Sequence, residues 1–83
     1  MTVDHYDPEP LYSQLARILR AAITSGRLKS RDPMPSEQQL QQEHGLSRGT
    51  VRAAFKMLRD EGLVITLPGR GSFVAGQSDD TEP

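Results

Sequence analysis

The sequence predicts an α+β domain of three helices followed by a two-stranded β-hairpin. Three observations carry this. Apolar residues recur at helical spacing from Leu11 to Ile23 and again from Val51 to Leu58. Ser36 and Ser47 stand where helix N-caps belong, and Gly26, Gly45 and Gly62 stand where helices stop. Two short apolar runs, 63–67 and 72–75, flank Pro68-Gly69-Arg70-Gly71, a tetrapeptide suited to a turn.

Each element follows in order. Residues 1–9 show no periodicity and are acidic, so a disordered head is expected. Pro10 suits the first turn of a helix. Leu11, Leu15, Ile18, Leu19, Ala22 and Ile23 then form one apolar face, and Gly26 ends the helix. Residues 27–35 hold two prolines and read as a connecting loop from which Leu28 and Met34 reach the core. Ser36 with Gln39 three residues on has capping-box spacing, so the second helix runs from there to His44. Gly45 supplies the left-handed stop, and Leu46 packs inward. Ser47 caps a third helix over 48–61, which Gly62 ends. The hairpin follows. The folded domain is expected over 10–76, with a disordered acidic tail over 77–83.

Size and composition narrow the function. At 83 residues the chain is one domain with a modest core, burying about 60% of its unfolded surface. It has no cysteine, which removes disulfides and thiolate metal sites from consideration and suits a reducing cytosol. No apolar run reaches the roughly 18 residues of a membrane span, and no signal-peptide core is present. A soluble, cytoplasmic protein is expected. The net charge of −1 hides an asymmetry. All ten Lys and Arg lie between Pro10 and Ser78, where only Asp32, Glu37, Glu43, Asp60 and Glu61 oppose them, leaving +5 on the folded part.

That positive charge is organised. At about 100° per residue, Arg48, Arg52, Lys56 and Arg59 fall within an arc of roughly 80°, beside the apolar arc of Val51, Ala54, Phe55 and Leu58. A solvated helix face has the same look. Arg48, however, lies in the first turn, where the helix dipole opposes a cation by about 0.3–1 kcal/mol. Helix, Gly45, Leu46, Ser47, helix is also what a helix-turn-helix requires: glycine permits the reversal, and Leu46 with Val51 fixes the angle between the helices. The second helix of such a unit aims its N-terminal residues at base edges, where arginine bonds guanine bidentately and Thr50 offers a hydroxyl and a methyl. Gly49 fits either a close backbone approach or an ordinary helix start.

Five blocks in this order carry a family resemblance: LYSQL (11–15), MPSE (34–37), GLSRGTVR (45–52), EGLV (61–64) and GRGSFV (69–74). Together they resemble the DNA-binding domain of the GntR family of bacterial transcription regulators, over nearly the whole ordered chain. The resemblance implies a winged helix-turn-helix that binds double-stranded DNA sequence-specifically, acting as a homodimeric repressor on a palindromic operator and nucleoid-associated when bound. It implies a recognition helix 48–61 in the major groove and a wing 68–71 in the minor groove. Carried onto matching positions, it implicates Ser36, Ser47, Arg48, Thr50, Arg52, Gly69, Arg70 and Gly71 in DNA binding. Gly69 would let the backbone enter the minor groove, and Arg70 suits a narrow, negative one. Several positions depart from the pattern. Gln38 replaces a frequent arginine, Gln41 a small residue and His44 an aromatic, and Ser30-Arg31-Asp32 lacks the usual glycine before the aspartate. The family also implies a C-terminal effector-binding domain, absent from this chain, which ends at Pro83 as either an excised domain or a stand-alone regulator.

Enzymatic chemistry has little to build on. His5 and His44 are the only histidines, no Ser-His-Asp or Cys-His set can be assembled, and Gly69-Arg70-Gly71 is too short for a nucleotide loop. No catalytic residue, metal or cofactor is expected. The competing class is a protein-binding adaptor whose basic ridge meets an acidic partner. Salt-dependent binding to duplex DNA separates the two.

Overall fold

The computed structural model describes residues 2–75. Three α-helices, α1 (Leu11–Thr24), α2 (Glu37–His44) and α3 (Arg48–Asp60), precede two strands, β1 (Val64–Leu67) and β2 (Gly71–Val74). This is the expected α+β winged helix-turn-helix. The strands pair antiparallel with Val64 opposite Val74 and Leu67 opposite Gly71. The expected tail 77–83, and Gly76 at the end of the expected domain, lie outside the described residues.

The helix ends are set by local chemistry. Ser36 Oγ accepts from the Gln39 N–H at 3.0 Å, one half of the capping-box arrangement. Gly45 closes α2 at φ +66°, and its N–H donates to the Gln41 carbonyl. The third helix, α3, stops one residue short of the expected 48–61. Glu61 is its C-cap, with its N–H donating to Met57 O, and Leu63 N–H then returns to Leu58 O.

The core lies where α1 crosses α3 and the hairpin meets their ends. Leu15, Ala16 and Leu19 of α1 face Val51, Ala54, Phe55 and Leu58 of α3, and Leu40, Leu46, Val64 and Val74 complete it. Met34 is buried and Leu28 half-buried, as expected of the connecting loop. That loop does more than connect. Met34 N–H donates to Ser72 O, Arg31 N–H to Val74 O, and Val74 N–H to Asp32 O at 2.8 Å. Pro33 thereby bridges Phe73, and residues 31–34 run antiparallel beside β2.

The head differs from its expected disorder over the described residues 2–9. Val3 is buried, its N–H donates to His44 Nδ1, and the His5 Nε2–H donates to the His44 carbonyl at 2.8 Å. Asp4 N–H donates to Gln14 Oε1, while Gln14 Nε2 donates to the carbonyls of Asp4 and Glu9. Gln14 is only 3% exposed, so the head satisfies an amide that would otherwise be buried unpaired on the α1 face. His44, standing where an aromatic is usual, is the other anchor.

Arg31 explains why a glycine is usual before Asp32. It is the one non-glycine at positive φ among the described residues, at +70°. A side chain in that region costs about 1–2 kcal/mol, partly recovered here by the Asp32 turn, whose Oδ2 accepts from the Lys29 N–H. Arg31→Gly is therefore expected to raise stability by up to about 1 kcal/mol, since glycine loses more chain entropy on folding. Urea denaturation checks this.

The Arg20 guanidinium on α1 holds Glu61 through Nε (2.8 Å) and Nη2 (2.6 Å), clamping the two helices where α3 ends. These hydrogen bonds lower the Glu61 pKa. A depressed folded-state pKa means the stabilisation is present above the unfolded carboxyl value and is lost as pH falls through the folded value. A double-mutant cycle of Arg20 and Glu61 should give about 0.2–1 kcal/mol of coupling at neutral pH. The same cycle in acid should give none.

Candidate nucleic-acid interface

The candidate surface is assembled from three pieces: the N-termini of α2 and α3, and the wing turn. Ser47 caps α3, its Oγ accepting from the Thr50 N–H at 3.2 Å and sharing a hydrogen bond with Thr50 Oγ1 at 2.9 Å. The two hydroxyls share one proton between them, which leaves the other hydroxyl hydrogen to point outward. Ser36 is similarly a cap with its O–H hydrogen uncommitted. Each cap therefore stabilises its helix and still leaves one hydroxyl donor available, from Ser36 at α2 and from one of the Ser47–Thr50 pair at α3.

The cations of α3 divide into two groups that the helical wheel does not distinguish. Lys56 pairs with Asp60 at 3.0 Å. Arg59 Nη1 donates to Thr66 Oγ1, which shares a hydrogen bond with Ser72 Oγ. Arg59 therefore ties the end of α3 across both strands of the hairpin and does not extend a basic ridge. Arg52 Nε donates to the Glu37 carboxylate of α2. Arg48 alone has no acidic or hydrogen-bonding partner among the described residues, and no acid lies in the first turn of α3. The unopposed positive charge is concentrated at the N-terminal end.

The wing turn is closed by the Arg70 N–H donating to Leu67 O at 2.9 Å. With Pro68 second and Gly69 third at φ +75°, this fits a type II turn. A Cβ built on Gly69 meets nothing within 4 Å, so its requirement is conformational, and its backbone is fully presented. Arg70 is exposed and unpaired among the described residues. Arg70 and Gly71 line one groove with Ser36, Glu37 and Phe55.

Glu37 connects the implicated residues of α2 and α3, and the groove beside it holds Arg70 and Gly71. Ser36 lies next to Glu37, which holds Arg52; Arg48 is one turn before Arg52; Ser47 and Thr50 flank Arg48. Arg70 and Gly71 of the wing line the groove, and Gly69 precedes them in the turn. The residues that organise this surface, Glu37, Arg59 and Thr66, were not among those implicated from sequence. Their bonds span 15 and 7 positions between separate elements, so no local spacing announces them.

The sequence profile described as "Bacterial regulatory proteins, gntR family" matches residues 11–74. The chain belongs to that family. Among curated GntR relatives, the "HTH-type transcriptional repressor NagR" of Bacillus subtilis (strain 168) is 40% identical over 75 residues, covering 90% of this chain and 31% of that protein. The "Mannosyl-D-glycerate transport/metabolism system repressor MngR" of Escherichia coli (strain K12) is 41% identical over 66 residues, covering 80% and 28%. This chain therefore spans under a third of the length of these relatives. Among solved structures, AraR(DBD) in complex with operator ORX1 superposes with a TM-score of 0.83 at 30% identity, covering 90% of this chain and 95% of that one. YtrA from Sulfolobus acidocaldarius, a GntR-family transcription factor, gives 0.83 at 31% identity, covering 90% and 79%. Within this GntR domain, Gln38 is exposed where an arginine is frequent, and Gln41 is half-buried in α2.

The Ser47 cap should be measurable apart from any ligand. Ser47→Ala is expected to cost about 1 kcal/mol of stability and Ser47→Gly only a few tenths, compared by thermal melting.

Proposed function

We propose that this chain reads double-stranded DNA sequence-specifically as the operator-binding domain of a transcriptional repressor. The N-terminal part of α3 enters the major groove, and the 68–71 turn enters the minor groove. Arg48, Thr50 and Arg52 face base edges; Ser36 and Ser47, at the helix starts, meet phosphates; Gly69 and Arg70 occupy the minor groove beside Gly71. The carrying observation is the pair of arginines unopposed among the described residues, Arg48 at the start of α3 and Arg70 on the wing, with Arg70 sharing a groove with Ser36 and Glu37 at the start of α2. A first-turn arginine is unfavourable to its own helix and has no internal partner, which fits a role toward an external anion.

The named relatives support a repressor, and the AraR complexes support an operator as the target. A single 83-residue domain makes few contacts, so two copies on a palindromic operator account for tight binding. None of the helices among the described residues is long and apolar enough to cross a membrane, and the reading places the protein in the bacterial cytoplasm, at the nucleoid when bound. The reading is of a binding domain with no chemical step to perform.

Selection of bound sequences from a random duplex pool, followed by titration, tests this. The operator should exceed random duplex by about 10³-fold or more, with affinity falling steeply as salt rises. Arg48→Ala should cost about 1–3 kcal/mol and flatten base preference, whereas Arg70→Ala should weaken binding with less change in major-groove preference. No binding to any duplex at low salt would sink the proposal.

A further inference from the structure

We infer that Glu37 is a positioning residue that sets the base preference of Arg52; this rests on the operator reading above. Arg52 lies one turn after Arg48 on the same face of α3. Its Nε is 3.2 Å from Glu37 Oε2 and 3.4 Å from Oε1, while its two Nη groups have no partner among the described residues. A guanidinium offers two planar forks to a pair of acceptors, one through Nε with an Nη and one through both Nη groups. The guanine edge, with O6 and N7, accepts a planar fork of this kind. Glu37 engages Nε, one arm of the first fork, and leaves the end-on Nη pair as the reading edge. It also narrows the rotamers of a long side chain before DNA arrives, which lowers the entropy lost on binding.

Two further observations fit positioning better than stability. The arginine side chain is 61% exposed and the glutamate 37%, and pairs this open contribute little to folding. The glutamate also lies in the first turn of α2, on a surface read as facing phosphates, where a carboxylate repels the polyanion. A surface built only for adhesion would be better without it. The α2 dipole favours a carboxylate at that position, and the Ser36 cap fixes the turn from which it reaches across.

The experiment uses this chain and two duplexes, the sequence selected from a random pool and a scrambled control. Glu37→Ala is expected to bind the scrambled duplex as tightly as wild type or tighter, while the selected-to-scrambled affinity ratio falls about fivefold or more. Glu37→Gln, whose amide oxygen still accepts from Arg52 Nε, should recover most of that ratio. With Arg52→Ala already present, adding Glu37→Ala should leave the ratio unchanged. The inference is overturned by an unchanged ratio in Glu37→Ala, by an equal fall when Arg52 is absent, or by a parallel loss on both duplexes with a lowered melting temperature. A wild-type chain that selects no sequence overturns the operator reading, and this inference falls with it. A wild-type chain that selects normally beside an unaffected Glu37→Ala variant overturns the inference alone.

Discussion

Val51, Ala54, Phe55 and Leu58 are buried along one arc of α3, and the rest of the domain depends on their packing against Leu15, Ala16 and Leu19 of α1. Full burial of a large apolar side chain is worth about 1.5–3 kcal/mol, so this contact is a large part of what a chain this short has to fold with. It also fixes the rotation of α3 about its own axis. Once that apolar arc is inward, Arg48 and Arg52 have only one direction to face. Folding and presentation are one event in this domain, because a single helix is both the centre of the core and the exposed surface.

The second helix and the hairpin are held to α3 by different means. Leu40 and Leu46 pack from the α2 side, and the left-handed Gly45 allows the reversal between the helices. The hairpin buries only Val64 and Val74, one residue from each strand, and relies on Arg59, Thr66 and Ser72 for a polar connection. Ile65 and Leu67 remain exposed on its other face. The wing is therefore the part least supported by apolar burial, and it is kept in place by hydrogen bonds to two separate segments.

Much of this was legible in the sequence where the information was local. The apolar faces of α1 and α3, the two serine caps and the glycine stops all depend on residues within a few positions of one another. The same is true of the Pro68-Gly69 turn. What could not be read depends on partners far apart in the chain. Val3 has no periodicity to mark it, and its burial becomes visible only when His44 and Gln14 are placed beside it. Residues 31–34 contain a proline and a strained arginine, which locally argue against pairing with a strand; the partner, β2, arrives some forty positions later. The wheel put Arg59 on the same arc as Arg48 correctly, but a wheel has no hairpin in it, and Thr66 decides where that guanidinium goes. Among the implicated residues, those in turns and caps have their conformations explained by the structure. The orientation of Arg52 required a glutamate from another helix.

The run of residues 31–34 beside β2 has one more consequence. A free hairpin showing Ile65 and Leu67 to solvent would be a ready template for strand addition by a neighbouring molecule. The connecting loop already takes up the outward amide and carbonyl of Val74 and the carbonyl of Ser72. The linker between the first two helices thus occupies the β2 edge of the sheet with the molecule's own chain, and among the described residues leaves strand addition only the β1 edge.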